Sequence, residues 1–178
     1  EDNTAPTFTS ELPVNISVSC DAIPEAQTLT ASDNCDNDVF ISVADSIDTS
    51  NSNCAGQYVI IRTWTATDDC NNSVTHSQTI TVSDTAAPTI VTPLDTEIDV
   101  ICSEIPPTPT PEFIDNCSGV FDVIHNETTN TISIYQYTIT HVWTVSDNCG
   151  NEATFSQIVN VTVENPFDVI TYAICIEE

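Results

Sequence analysis

Basic residues are almost missing from this sequence. Arg62 is the single lysine or arginine against 27 acidic residues, which leaves a formal net charge of −26 over 178 residues. With so little positive charge, the chain cannot displace counterions from a phosphate backbone. That excludes nucleic acid as a partner and disfavours anionic membrane surfaces. Glycine is scarce too: Gly56, Gly119 and Gly150 are the only three, and none belongs to a phosphate-cradling loop. No apolar run approaches the roughly 18 to 20 residues that cross a bilayer as a helix, so membrane insertion is not expected. Neither a methionine nor an apolar leader precedes Glu1, and the chain reads as a processed or excised part of something longer.

Self-repulsion of this size destabilises a compact fold unless cations are gathered. Disorder is the competing outcome of high charge, but 40% hydrophobic residues and eight cysteines argue for a folded chain. Cys20, Cys35, Cys54, Cys70, Cys102, Cys117, Cys149 and Cys175 contain no Cys-x-x-Cys pair, and none is flanked by histidine at zinc spacing. An even count without metal spacing predicts disulfides and hence an oxidising, extracellular compartment.

The chain lays over itself. With a shift of 82 residues, Ala5-Pro6-Thr7 matches Ala87-Pro88-Thr89, Cys20 matches Cys102, and Asp33-Asn34-Cys35 matches Asp115-Asn116-Cys117. With a shift of 79, Trp64-Thr65 matches Trp143-Thr144, and Asp68-x-Cys70 matches Asp147-x-Cys149. The three-residue deletion between them falls in the Ser- and Asn-rich stretch from Ile47 to Tyr58, as expected of a surface loop. The two repeats are placed at residues 1–84 and 85–178, the second carrying a C-terminal extension.

Within each repeat the apolar period is two. Val14, Ile16, Val18 and Cys20 form one face; Val74, His76, Gln78, Ile80 and Val82 form another. Tyr58, Ile60, Trp64 and Ala66 share a third, repeated by Tyr137, Ile139, Trp143 and Val145. Strands this short and rich in Thr, Val and Ile predict an all-β chain of two tandem immunoglobulin-like antiparallel β-sandwich domains. The tryptophans read as core anchors, with a sugar-stacking platform as the alternative. Arg62 interrupts its apolar face and His141 replaces it in the second repeat; each is expected near a strand end with its polar tip outward.

A strand of eight to ten residues separates its ends by roughly 25 to 33 Å, whereas bridged Cα atoms lie within about 7 Å. In an immunoglobulin-like order the loops holding Cys35 and Cys70 meet at the head of the first repeat, and Cys20 meets Cys54 at its tail. The expected bridges are therefore Cys35–Cys70 and Cys20–Cys54, then Cys117–Cys149 and Cys102–Cys175, with a partner outside the chain left open for Cys175.

The same head-end loops are acidic. Asp2, Asp33, Asp36, Asp38, Asp68 and Asp69 converge in the first repeat, and Asp84, Asp115 and Asp147 in the second. Carboxylates and Asn carbonyls gathered without histidine suit a hard cation, so Ca²⁺ is the expected ligand, with simple Asx turns as the alternative.

The segments Asp84-Thr85-Ala86-Ala87-Pro88, Asp33-Asn34-Cys35 and Arg62-Thr63-Trp64-Thr65-Ala66-Thr67-Asp68-Asp69-Cys70-Asn71-Asn72 resemble the HYR-like, immunoglobulin-fold tandem repeats of very large Bacteroidetes surface proteins, including gliding-type adhesins. Asp2-Asn3-Thr4-Ala5-Pro6-Thr7-Phe8 is similar, over a shorter stretch, to cadherin linkers. The resemblance implies secretion, attachment at the bacterial cell surface and an adhesive or spacer role. It also implies neighbouring repeats as partners and O-glycans at triplets such as those of Ser46 and Thr85. It implies no catalytic residue, and His76, His125 and His141 stand in no recognisable nucleophile–base setting, so an enzyme is not expected. Two alternatives to a spacer stay open: a module that binds a glycan or protein, and a subunit of an extracellular filament in which residues from Pro166 to Glu178 donate a strand to a neighbour.

Overall fold

The computed structural model describes residues 2–117 and 119–163. The chain divides into two compact units, Glu1–Thr85 and Ala86–Glu178. In the first, the strands are β1 (Thr7–Phe8), β2 (Ile16–Val18), β3 (Ala31–Ser32), β4 (Phe40–Asp48), β5 (Tyr58–Thr67) and β6 (Ser73–Val82). The second repeats them as β7 (Thr89–Ile90), β8 (Glu97–Ile101), β9 (Phe113–Ile114), β10 (Phe121–Ser133), β11 (Gln136–Asp147) and β12 (Glu152–Thr162). Among the described residues the only helical piece is a 3₁₀ turn at Cys102–Glu104, and no helix is long and apolar enough to cross a membrane.

Among the described residues each unit holds a four-stranded and a two-stranded sheet: β2-β6-β5-β4 with β1-β3, and β10-β11-β12-β8 with β7-β9. The fold is thus all-β and sandwich-like, but not purely antiparallel, because β2 runs parallel to β6 and β8 parallel to β12. The core lies where the alternation places it. Ile60, Trp64, Ala66, Ile80 and Val82 are buried in the first unit, and Trp143, Val145, Val159 and Val161 in the second. Trp64 is 1% exposed and its Nε1 donates to the carbonyl of Gln27 at 2.9 Å; Trp143 is 3% exposed. Both are anchors, and a solvent-facing sugar platform is ruled out at either.

The first predicted face is shorter than the sequence suggested. Val14 stands 74% exposed, and only Ile16–Val18 forms a strand. Side chains take over the hydrogen bonding there: Gln78 Nε2 donates to Val14 O at 2.6 Å, and His76 Nε2 lies 2.8 Å from Pro13 O. From His125 the chain stays extended, and β10 runs on to Ser133. Thr128, Thr129, Thr131 and Ile132 favour extended backbone, and the deletion leaves a hairpin with only Ile134 and Tyr135 between the strands. The extension from Pro166 lies outside the described residues.

Arg62 and His141 correct the sequence expectation. Neither is at a strand end; both are mid-strand and point inward, 6% and 5% exposed. Arg62 is held bidentate by Asp45, its partner across β4–β5, with Nε to Oδ1 at 2.8 Å and Nη2 to Oδ2 at 2.9 Å, while Nη1 reaches Pro24 O at 2.8 Å. With its charge and three donors satisfied, a guanidinium can lie inside a small core. The Arg62 hydrogen bond, opposed by burial and aided by the arginine's charge, holds the Asp45 carboxyl below its ordinary value. A carboxyl lowered in the folded state stabilises above its unfolded value near 3.8, and that contribution is lost as the pH falls through the folded value. The Asp45 side chain is 40% exposed, so solvent screening limits the pair. Asp45→Asn is expected to cost on the order of 1 kcal/mol at pH 7. Urea unfolding as a function of pH checks this: the gap between wild type and variant should close below pH 4, and a gap independent of pH would contradict it.

Candidate metal centre

Two turns shape the acidic end of the first unit, and both are set by short polar side chains. In the β5–β6 hairpin, Asp68 Oδ1 accepts the Asn72 amide at 2.7 Å and Oδ2 accepts Asn72 Nδ2 at 2.8 Å. The chain turns at Asn71, whose φ of 68° is one that Asn tolerates better than most residues. The second unit repeats this turn with Asp147: Oδ1 accepts the amides of Cys149 at 2.7 Å and Asn151 at 2.9 Å, Oδ2 accepts Asn151 Nδ2 at 2.8 Å, and Gly150 takes the left-handed position with φ 85°. Burial raises the Asp147 carboxyl, but the hydrogen bonds from Asn151, Cys149 and Gly150 outweigh it and leave it below its ordinary value. Asp68 and Asp147, both expected as metal ligands, also accept the hydrogen bonds that close these turns.

The loop before β4 is built the same way. Asp33 Oδ1 accepts the amides of Cys35 at 2.9 Å and Asp36 at 3.2 Å. Asp36 accepts the amide of Asp38 on Oδ1 at 2.9 Å and that of Asp69 on Oδ2 at 3.0 Å, which joins this loop to the β5–β6 turn. Asn72 Nδ2 also donates to Asp2 O at 3.2 Å, and Asp2 Oδ1 accepts the Thr4 amide at 3.0 Å. Three segments therefore converge as expected, tied by the Asp36 carboxylate and the Asp69 amide, and Asp38 is exposed.

In the first unit the carboxylates that come together for a cation are those of Asp2 and Asp33. Their carboxylate oxygens and Cys35 Sγ lie within 4.8 Å of one another, and Asp33 Oδ2 is buried with no hydrogen-bond partner. Two carboxylates at one spot, one with an orphaned oxygen, leave negative charge that a hard cation would neutralise. The amide of Cys35, with burial opposing and the amides of Asp36 and Asn34 assisting, keeps Asp33 below its ordinary value, so it stays ionised at neutral pH. The donor chemistry fits Ca²⁺ at Asp2 and Asp33. Asp115 accepts the Cys117 amide at 2.8 Å, the counterpart of Asp33 with Cys35, and Asp84, the counterpart of Asp2 by the 82-residue shift, is 9% exposed.

The cysteines sort unevenly. Cys20 and Cys54, then Cys102, Cys117 and Cys149, are disulfide-bonded, whereas Cys35 and Cys70 are exposed thiols. The expected Cys35–Cys70 bridge is thus not formed, although its second-repeat counterparts are bonded. Asn34 Nδ2 meets Cys35 Sγ at 3.1 Å. Desolvation first, then the charges of Asp2 and Asp33, raise the Cys35 thiol, which keeps it protonated at neutral pH. Cys175 lies outside the described residues. Ser46 and Thr85, the glycan candidates, are both exposed.

Residues 8–82 match the family model of an HYR-like domain with 4 cysteines, the stretch that contains Cys20, Cys35, Cys54 and Cys70. No curated protein sequence matches. Similar solved structures include Drosophila N-cadherin EC1-4, at 13% identity and TM-score 0.40 over 91% of this chain and 50% of that one. The protocadherin GammaB4 extracellular domain is also similar, at 14% identity and TM-score 0.37 over 92% of this chain and 35% of that one. The chain therefore spans half the length of the first of these and about a third of the second.

Proposed function

We propose, from the likeness of the first repeat to an HYR-like domain, that this chain is a structural and adhesive segment of a secreted bacterial cell-surface protein, a spacer stiffened by disulfides and by calcium. The observation that carries the calcium reading is the Asp2–Asp33 pair, whose buried Asp33 Oδ2 lacks a partner while three chain segments converge around it. Calcium there would neutralise repelling charge in a chain of net −26 and fasten the residues preceding β1 to the loops before β4 and after β5. The role is mechanical, and no reaction is assigned to it.

Calorimetry on the full chain tests this reading. Calcium at about a hundred times its Kd is expected to add about 2.7 kcal/mol to the stability of the site-bearing unit, and EDTA to remove it. Asp33→Asn keeps an acceptor for the Cys35 and Asp36 amides but deletes the charge, so its calcium response should be lost with the turn intact. Calcium that produced no heat and no shift in thermal unfolding in the wild type would refute the calcium part of the proposal.

A further inference from the structure

One position in the sheet is solved differently in the two repeats. In the first unit, Val43, Asp45, Arg62 and Trp64 share a face, and Asp45 clasps Arg62. The repeat shifts carry these residues to His125, Glu127, His141 and Trp143. Three replacements in concert have thus put two imidazoles and a carboxylate where the first repeat has a closed ion pair. His125 and Glu127 alternate on β10, and β11 sets His141 opposite Glu127 and Trp143 opposite His125.

We infer that His125, Glu127 and His141 form a binding site for one zinc ion on the β10–β11 hairpin. His125 Nε2 lies 3.2 Å from His141 Nδ1, and that nitrogen lies 3.4 Å from Glu127 Oε2; all three ligand atoms fall within 4.8 Å of one another. Tetrahedral zinc with ligands at about 2.0–2.1 Å separates them by about 3.3 Å, so two edges of the polyhedron already stand at the required length. Two imidazole nitrogens are borderline donors, and beside one hard carboxylate oxygen they favour zinc over calcium, unlike the all-oxygen loops.

The ligands are also held. His141 is 5% exposed; its ring stacks on His125 at 5.4 Å and on Trp143 at 5.7 Å, and His125 stacks on Trp143 at 5.0 Å. Metal on Nδ1 leaves the proton on Nε2, and Gln157 stands opposite His141 on β12 with a buried Oε1 that has no hydrogen-bond partner. His125 and Glu127 are exposed, which leaves the fourth position to water. The ion would pin the exposed strand β10 to the buried strand β11.

Zinc titration of the full chain, by calorimetry at pH 7.5 in excess Ca²⁺ and with free thiols alkylated, tests the site. Wild type should take up one zinc per chain with imidazole proton signals shifted on binding, and Co²⁺ should give tetrahedral d–d absorption. His125→Ala, at an exposed position, should weaken binding at least about tenfold and abolish the cobalt band, and Glu127→Gln should weaken it as well. Imidazole signals unmoved by zinc in the wild type, or zinc affinity unchanged by His125→Ala, would overturn the inference.

Discussion

Trp64→Ala is expected to lower the unfolding free energy of the first unit by about 3–5 kcal/mol, a large fraction of what a domain of this size possesses. The indole is 1% exposed, it lies against the segment that includes Gln27 and Leu29, and its Nε1 donates to the Gln27 carbonyl. Truncation removes the contacts, leaves a cavity and orphans that carbonyl. Trp64→Phe separates these terms: the ring stays but the donor goes, and the expected loss falls to about 1–3 kcal/mol. Urea unfolding followed by circular dichroism reads both, while the fluorescence of Trp143 in the Trp64 variants reports on the second unit alone. A loss below about 1 kcal/mol for Trp64→Ala would mean that the ring is not an anchor.

Opening a disulfide of the first unit should cost about 2–5 kcal/mol. Cys20 and Cys54 are the bonded cysteines there, and Cys20 Sγ lies 3.7 Å from Gly56 O, which puts it beside the loop that carries Cys54. If the two bond each other, Cys20→Ser, Cys54→Ser and the double variant should all lose about the same stability, because either change opens the one bridge. Losses that add in the double variant would assign different partners. Cys35→Ser and Cys70→Ser, at exposed thiols, should stay within about 0.5 kcal/mol of wild type. Chemical denaturation under non-reducing conditions compares these five variants with wild type.

What the sequence disclosed is what repeats or alternates within a few residues. The register of Trp64 with Trp143, the buried faces of β5 and β6, and the matched Asp-x-Cys turns follow from local spacing. What it concealed depends on pairing across a hairpin. Arg62 looked like a residue with its tip in water because its partner Asp45 is 17 positions away and read as part of a glycosylation triplet. His125, Glu127 and His141 looked like isolated strand residues until β10 and β11 were set in register. The available clue was the comparison of repeats, in which an Asp–Arg pair becomes Glu–His while a valine becomes histidine. The acidic loops were located but not sorted: composition cannot tell Asp68, whose oxygens close a turn, from Asp33, which keeps one oxygen unsatisfied.

The parallel pairs have a mechanical consequence. In each unit an early strand lies beside the last described one and runs the same way, β2 with β6 and β8 with β12. Tension applied along the chain pulls the start of one strand and the end of its neighbour in opposite directions. The hydrogen bonds between them are then loaded in shear, all at once, rather than peeled singly from one end. The contact spans three residue pairs in the first unit and five in the second. Under equal pull the first unit should yield sooner, unfolding as a shock absorber while the second still holds.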